Sequence, residues 1–488
     1  MNDERPNLIT DLEAHAEGRK PLVIRLLQWK VVIPVMILLM LLVAPLLYRS
    51  YLLNGIPAIG DPFDVEAFGT VNLPDVENAK IDYEAAMAAM VPLPAIAGVD
   101  VAAQLDDALT NGWEHAGPTI RTWLDDNRPA MEQWKLGTEK PDFLYVQPKE
   151  LSINTLLPLI QELRTFARLA QLETSRLLSE GKPAEAWVWA RATYRCSRHL
   201  GRYGVAIERL VGMALHAMSI DSMMMKIAEH PTTTESLLQE MLKEIQEQYA
   251  KTPPTSTMMK CEYLMFKNTI HDPKMMREIS NQFNQPAMKV QYEYSRVLGI
   301  EPQMSQMIAQ QFFANILEQI DLPMHQRQRR TGHLDLFEHD PGKSYRVDRL
   351  TPDEIERHVM KSYVARYLLP ALSQADTACL REACRQRAFE FCLAARIFQL
   401  RTGAYPSDAN ELVSAGILAD VPADPYSPTG EKLRYRHAGD EVVAWSVGEN
   451  GIDDGGGTLD AEDYELRYAD LGIILGREKD GSVEAKKP

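Results

Sequence analysis

The stretch WSVGENGIDDGGG, Trp445–Gly457, ends the most specific pattern in this sequence, and TGAYP at Thr402–Pro406 and PADPY at Pro422–Tyr426 precede it. Gly and Pro mark turns, because Gly adopts left-handed backbone conformations and Pro has a fixed φ and no N–H. Their order predicts a helix from about Ala375 to Arg401 that ends at the first stretch. We expect the rest to form a small unit with the following elements: a short helix at Ala409–Ala415 and strands near Leu433–Arg436 and Val442–Val447.

This succession of motifs resembles the C-terminal globular part of the major pseudopilin of type II secretion. In that family a helix ends at a G-x-Y-P turn, a D-P-W/Y segment follows, and a strand ending in S-x-G-x-D-G leads into an acidic loop. The resemblance implies a pseudopilin-like helix and a small antiparallel sheet at residues 375–477. The composition of residues 478–488 separately predicts a disordered tail. Gly18–Leu22 lacks the pseudopilin cleavage motif, so we do not expect the chain to polymerise as a pilin subunit.

The acidic loop Glu449–Asp463 is the best candidate for a binding site. Asp453, Asp454 and Asp460 offer hard carboxylate oxygens, and three consecutive glycines let backbone carbonyls point inward as well. In the major pseudopilin the matching loop binds calcium, so the resemblance implies Ca²⁺ at these three residues. Glu449–Gly451 stands where that family has x-D-G, and the alternative is a plain turn rich in Asp and Gly.

An uncharged apolar run, Val31–Tyr48, is the second clear feature of the chain. At a rise of about 1.5 Å per residue it spans about 27 Å, close to the hydrocarbon thickness of a bilayer. Lys30 and Arg49 bracket the run. It is longer than the apolar part of a typical signal peptide, and no small-x-small cleavage site follows it. We therefore expect a retained transmembrane helix at 31–48 rather than a cleaved signal sequence.

The charges on either side of this run predict its orientation. Residues 16–30 contain four Lys or Arg, whereas residues 50–79 contain none and carry five acidic residues. Cytoplasmic flanks of membrane helices are enriched in Lys and Arg. The pattern therefore predicts a cytoplasmic leader at 1–30, with everything after the anchor outside the cytoplasm. No second apolar stretch reaches membrane length, so the predicted protein crosses the bilayer once.

Between the anchor and the tail the sequence predicts a mainly α fold. Residues 49–80, rich in Pro, Gly and Asp, predict a linker, and residues 81–374 an extracytoplasmic helical domain. The turn Gly181–Pro183 between two Ala-rich helices resembles one tetratricopeptide hairpin, but without a repeat we expect a helical bundle. Asp75–Met87 resembles the corresponding segment of uncharacterised bacterial membrane-anchored helical proteins. That likeness implies a bacterial inner membrane and says nothing about an activity.

Two groups of residues have both a structural and a functional interpretation. The 22 methionines, clustered for example at Met223–Met225 and Met258–Met259, predict core packing, with an apolar peptide-binding surface or a copper site as alternatives. The five cysteines are expected to be small buried thiols. Cys196 and Cys261 are left free to form a disulfide, because sequence alone does not decide it.

The histidines give no metal or catalytic pattern. His325, His333 and His339 lie in a polar loop, and their spacing matches no metal motif, so we expect a solvated loop. His199 and His216 are separated by 17 residues, with nothing acidic placed in the sequence to complete a site. H-E-x-x-H and G-x-S-x-G are both absent from the sequence.

These observations predict a membrane-tethered extracytoplasmic interaction or envelope-assembly protein without catalytic activity. Its expected partners are the lipid bilayer and other proteins of the envelope. The net charge of −16 argues against a general nucleic-acid binder, which needs a basic surface to neutralise phosphates. Two alternatives remain open: an envelope hydrolase whose residues converge only in three dimensions, and a component associated with a secretion system.

Overall fold

The computed structural model describes residues 29–152, 157–344, 347–439, 441–456 and 471–475, and it is mainly helical. The predicted leader up to residue 28 and the predicted tail at 478–488 lie outside the described residues. The helices are α1 (Trp29–Asn54), α2 (Val65–Phe68), α3 (Lys80–Ala89), α4 (Val101–Asn111), α5 (Pro118–Asp126), α6 (Arg128–Thr138), α7 (Leu157–Ser179), α8 (Pro183–His199), α9 (Ala206–Ala217), α10 (Met225–Glu229), α11 (Glu235–Tyr249), α12 (Thr255–His271), α13 (Pro273–Asn281), α14 (Pro286–Val297), α15 (Ile300–Leu317), α16 (Pro352–Lys361), α17 (Ala365–Leu368), α18 (Ser373–Thr402) and α19 (Ala409–Ser414). The strands are β1 (Arg330–Thr331), β2 (Leu336–Phe337), β3 (Arg434–Ala438), β4 (Glu441–Ser446) and β5 (Leu471–Leu475).

The first helix is longer than the predicted apolar run. Its part Val32–Asn54 is long and apolar enough to cross a membrane, and side chains such as Met36 and Met40 are exposed. The helix continues beyond the predicted end at residue 48 because Leu52 and Ile56 are buried against the helical body. The apolar helix and the body therefore share a continuous stretch of backbone.

The residues predicted to form a linker pack on the body. The ring of Phe63 lies edge-on to the rings of Phe68 and Tyr263, with centroid distances of 5.4 and 5.5 Å. The carboxylate of Asp61 accepts a hydrogen bond from the Tyr263 hydroxyl. Pro and Gly make this backbone irregular, as the composition indicates, but the two phenylalanines supply apolar surface that holds it in place.

Two hydrophobic cores fill the body, and α18 passes through both. One core contains α3–α8, α11, the second half of α18 and the small sheet, and the other gathers the end of α1, α12, α15 and α16. Ala375 lies in the second core, whereas Phe389 and Leu393 lie in the first. The helix extends for 30 residues without Pro or Gly. It ends at Gly403, whose φ of 85° forms a left-handed cap.

The predicted hairpin is present, and so are the short helix and the two strands that were predicted to follow α18. α7 and α8 pack together across the turn at Gly181, which has a φ of 73°. In the tail, β3, β4 and β5 form one antiparallel sheet in that order, with Arg434 opposite Trp445 and Val442 opposite Leu475. α18 packs on this sheet. The short helix α19 and the strands β3 and β4 lie within a few residues of their predicted positions, whereas β5 was not predicted.

Candidate functional sites

A buried charged cluster lies between the two cores. Glu382 of α18 forms ion pairs with Arg198 of α8 and Arg209 of α9, and all three side chains are buried. Nδ1 of His216 lies 3.8 Å from the same carboxylate, and its Nε2 lies 2.9 Å from Oε1 of Gln386. The sequence around His216 does not indicate this acidic neighbour, because Glu382 comes from a distant helix.

The electrostatics of this cluster favour one fixed charge state. Burial alone would raise the pKa of Glu382, but the guanidinium groups of Arg198 and Arg209 outweigh it and lower the pKa to about 2. Burial lowers the pKa of His216 to about 3, so its imidazole is neutral at physiological pH. Glu382 is therefore ionised and doubly paired. The cluster joins three helices and provides no base poised near neutral pH.

A pocket of about 380 Å³ with a mixed polar and apolar lining opens beside this cluster. Arg209, Glu382, Arg327 and Cys379 are among the residues that line it. Arg327 is itself paired with Asp376 of α18, at 2.7 Å from Nη1 to Oδ2. Burial raises the pKa of the Cys379 thiol to about 12, which leaves it protonated and a weak nucleophile. The walls of the pocket therefore combine paired charges with an unreactive thiol.

Two buried carboxyl groups lie at the beginning of α9. Glu262 of α12 accepts a hydrogen bond from the Ala206 N–H at 2.5 Å, which satisfies a donor in the first turn of the helix. Glu208 accepts one from the Gly201 N–H at 3.3 Å. Burial raises the pKa of each carboxyl to about 7. These two groups, which the sequence analysis did not single out, therefore change charge near neutral pH.

In the acidic loop, Asp453 is engaged by protein donors. Its carboxylate accepts hydrogen bonds from Nε1 of Trp445 at 3.0 Å and from Nε of Arg434 at 3.2 Å. Burial alone would raise the pKa of Asp453, but the hydrogen bonds from Trp445 and the Gly455 N–H outweigh it and lower the pKa. The prediction places Ca²⁺ beside Asp453, but in the structure the positive charge beside this carboxylate is supplied by Arg434.

Of the other two predicted calcium ligands, the structure describes one. Asp454 accepts a hydrogen bond from the Asn450 side-chain amide at 3.0 Å, and Asp460 lies outside the described residues. Among the residues that the structure does describe, no group of three or more His, Cys, Asp or Glu side chains is placed to hold a metal ion. That statement includes His325, His333 and His339.

Several of the clustered methionines and most of the cysteines lie in the core. Met223, Met224, Met258 and Met259 are all buried, in agreement with their interpretation as packing residues. All five cysteines are free thiols, and four of them are buried. Cys196 and Cys261 therefore do not form the disulfide that the sequence left open.

The apolar helix is attached to the body by Arg49, the residue that follows the apolar run. Its guanidinium forms an ion pair with Glu301 of α15 and donates a hydrogen bond to the Lys361 carbonyl oxygen at 2.6 Å. It also lies over the ring of Tyr363, 4.4 Å from the centroid. Both charged side chains are buried. This contact is named the Arg49–Glu301 junction below.

The carboxylate of Glu301 is itself held in place by the chain after α16. Its Oε1 accepts hydrogen bonds from the N–H groups of Tyr363 at 2.7 Å and Val364 at 3.1 Å, and from the Ser362 hydroxyl at 2.9 Å. Such a carboxylate is oriented before it meets its partner. In the sequence Arg49 is visible only as a flanking charge, and nothing there indicates Glu301 as its partner.

Comparisons with known proteins supply no assignment for these sites. The chain matches no protein-family model, no curated protein and no solved structure.

Proposed function

We propose that this chain is a single-pass protein of a bacterial inner membrane, with its N-terminus in the cytoplasm and its body outside, and that it acts there as a non-catalytic interaction or envelope-assembly protein. The observation that carries the proposal is the Arg49–Glu301 junction. The apolar run of a helix with exposed side chains is followed directly by a charged residue that is buried in the folded body. The junction holds the body close to the membrane surface in a defined orientation.

The absence of catalytic activity is supported by how the buried charges are used. Glu382 is shared by two arginines, and His216 beside it is neutral at physiological pH. General acid–base catalysis works best with a group whose pKa lies near the working pH and which reaches the reacting proton. Glu208 and Glu262 have such pKa values, but each is buried against a backbone N–H.

We also propose that the tail is a pseudopilin-like unit adapted to this body. Asp424 in the PADPY motif supports this idea, because its buried carboxylate accepts hydrogen bonds from the Ser446 hydroxyl at 2.5 Å and the Val447 N–H at 3.0 Å. It thus joins two of the stretches on which the resemblance rests. The tail shares its core with α8 and α11. A surface for envelope partners that is formed jointly by the pseudopilin-like unit and the helical body is consistent with this shared core.

Co-purification tests the proposed function. A tagged full-length chain at native abundance is cross-linked in intact cells, extracted from membranes with mild detergent, and analysed for bound proteins by mass spectrometry. An unrelated single-pass protein with the same tag is the control. We expect envelope proteins that are enriched over the control in near-stoichiometric amounts. Hydrolysis of an envelope polymer by the purified chain would support the hydrolase alternative instead.

A further inference from the structure

A cavity of about 650 Å³ lies between α1 and α14, next to the Arg49–Glu301 junction. Its volume falls in the range of about 300–1,000 Å³ that is usual for sites enclosing a small molecule. The walls are mostly apolar and include Ile37, Met40, Ala44, Val290 and Tyr294. Because three of these residues belong to the helix that is apolar enough to cross a membrane, the cavity continues into the part of the molecule that would meet lipid.

The helix on the other side of the cavity has an exposed apolar face. Val290, Tyr294 and Val297 recur at spacings of three and four, which places them on one side of α14, and all three are exposed, Val297 to 72%. Leu47 and Tyr51 of α1 are exposed as well. Soluble surfaces rarely carry large contiguous apolar patches. The exposed face of α14 and the exposed apolar side chains of α1 are therefore both suited to contact with lipid.

Lys361 is an exposed basic residue among those that line the cavity. In the described part of the chain its ammonium group has no hydrogen-bond or ion-pair partner. The charge of Arg49, by contrast, is matched by Glu301. The side chain of Gln291 also lines the cavity and accepts a hydrogen bond from the Tyr363 hydroxyl at 3.1 Å. An anionic group bound at this part of the cavity would therefore meet Lys361.

We propose that this cavity binds an acyl chain of an anionic phospholipid, whose phosphate contacts Lys361. The proposal rests on the proposed function, because the cavity meets lipid only if α1 crosses the bilayer. The lipid fills the space between α1 and α14 and is held at one end by the Lys361 ammonium group. It thereby completes the packing of the apolar helix against the body at the membrane surface.

Cavity-filling variants of the full-length chain test the acyl-chain site. Wild type, Ala44→Phe and the matched control Val43→Phe are reconstituted with an equimolar mixture of phosphatidylglycerol and phosphatidylcholine, extracted into detergent, and examined by native mass spectrometry. Val43 is exposed and does not line the cavity. We expect wild type and Val43→Phe to retain one phospholipid and Ala44→Phe to lose it. Equal retention in all three chains, or a lipid-free dimer in place of the complex, overturns the proposal.

The head-group contact is tested separately with Lys361→Gln. Loss of one membrane-facing cation is expected to reduce the preference for phosphatidylglycerol over phosphatidylcholine about fivefold. An unchanged preference shows that Lys361 does not bind the phosphate. Each variant must melt within a few degrees of wild type, and Ala44→Leu replaces Ala44→Phe if the larger side chain unfolds the protein.

Alkaline carbonate extraction separates failure of this proposal from failure of the proposed function. If wild type leaves the membrane in carbonate, α1 does not span the bilayer and the proposed function fails. If it stays in the membrane pellet but carries no lipid after purification, only the lipid site is refuted.

Discussion

Arg49 and Glu301 form a buried ion pair between the end of the apolar helix and the helical body. Arg49 directly follows the predicted membrane segment 31–48, whereas Glu301 belongs to the predicted helical domain 81–374. Removing one partner leaves the other as a buried, unpaired charge, which costs far more than the pair itself contributes. Substitution of one residue of the Arg49–Glu301 junction should therefore lower the stability of the protein more than replacement of both residues.

Truncation of the junction is the first prediction. Arg49→Ala and Glu301→Gln are each expected to lower the free energy of unfolding by about 3–5 kcal/mol, measured by denaturant titration in detergent. Lys243→Ala is the control, because its pair with Glu247 is exposed, and such pairs contribute about 0.2–1 kcal/mol. The double variant Arg49→Met with Glu301→Leu should lose less than either single variant. Equal effects at the junction and at the surface pair would contradict a buried junction.

The Glu382 cluster gives the second prediction. Glu382→Gln leaves Arg198 and Arg209 without their carboxylate, so we expect a loss of about 3–5 kcal/mol in the free energy of unfolding. Because the pKa of Glu382 is lowered in the folded state, its contribution is present above its ordinary value of 4.5 and is lost as the pH falls towards 2. Glu247→Gln, at an exposed site, is the control. If Glu382→Gln is as stable as wild type at pH 7, the cluster does not stabilise the folded protein.

The buried carboxyls Glu208 and Glu262 predict the opposite pH dependence. Their folded-state pKa values of about 7 lie above the ordinary 4.5, so the stability they contribute is complete below pH 4.5 and is lost as the pH rises through 7. Each carboxyl should lower the free energy of unfolding by about 2–3 kcal/mol as the pH rises from 5 to 8. Glu208→Gln and Glu262→Gln should each remove that loss.

The comparison of variant with wild type is essential for this third prediction. Burial lowers the pKa of His199 and His216 to about 3, so those two residues favour the folded state more as the pH rises from 3 to 6.5. Their contribution is the same in both chains and cancels in the difference. If the pH profiles of wild type and of the Gln variants run parallel from pH 5 to 8, both carboxyls are ionised throughout that range in the folded protein.

Calcium at Asp453, Asp454 and Asp460 stays a prediction of the sequence, and it has a direct test. Calcium bound only to the folded state stabilises it by about 2.7 kcal/mol at a hundredfold excess over the Kd. We expect millimolar calcium to raise the Tm of the full-length chain and Asp454→Ala to abolish most of that rise. Asp420→Ala, in the same part of the chain, is the control. The same Tm in calcium and in chelator would show that the loop is only a turn.

The local features of this fold were predictable from the sequence. The end of α18 at Gly403 and the positions of α19, β3 and β4 follow from Gly and Pro placement, which acts over a few residues. The length of α1 was not predicted, because it depends on the burial of Leu52 and Ile56 against helices far along the chain. Tertiary packing there outweighs the local end of the apolar run.

The charged clusters were less predictable for a related reason. Glu382 meets Arg198 and Arg209 only because α18 runs from one core into the other, and no sequence spacing encodes that meeting. The unusual pKa values of Glu208 and Glu262 come from burial, which sequence pattern does not report for an isolated acidic residue in a helix. Such sites require the structure.

The topology of the chain tests the central claim most directly. Alkaline phosphatase, which is active only outside the cytoplasm, is fused to the full-length chain after Lys479 and, as the matched control, to a chain cut after Gly18, before the apolar run. A membrane-tethered protein with an extracytoplasmic body predicts high activity for the Lys479 fusion and none for the Gly18 fusion. An inactive Lys479 fusion on a stably expressed, membrane-bound chain would contradict the account.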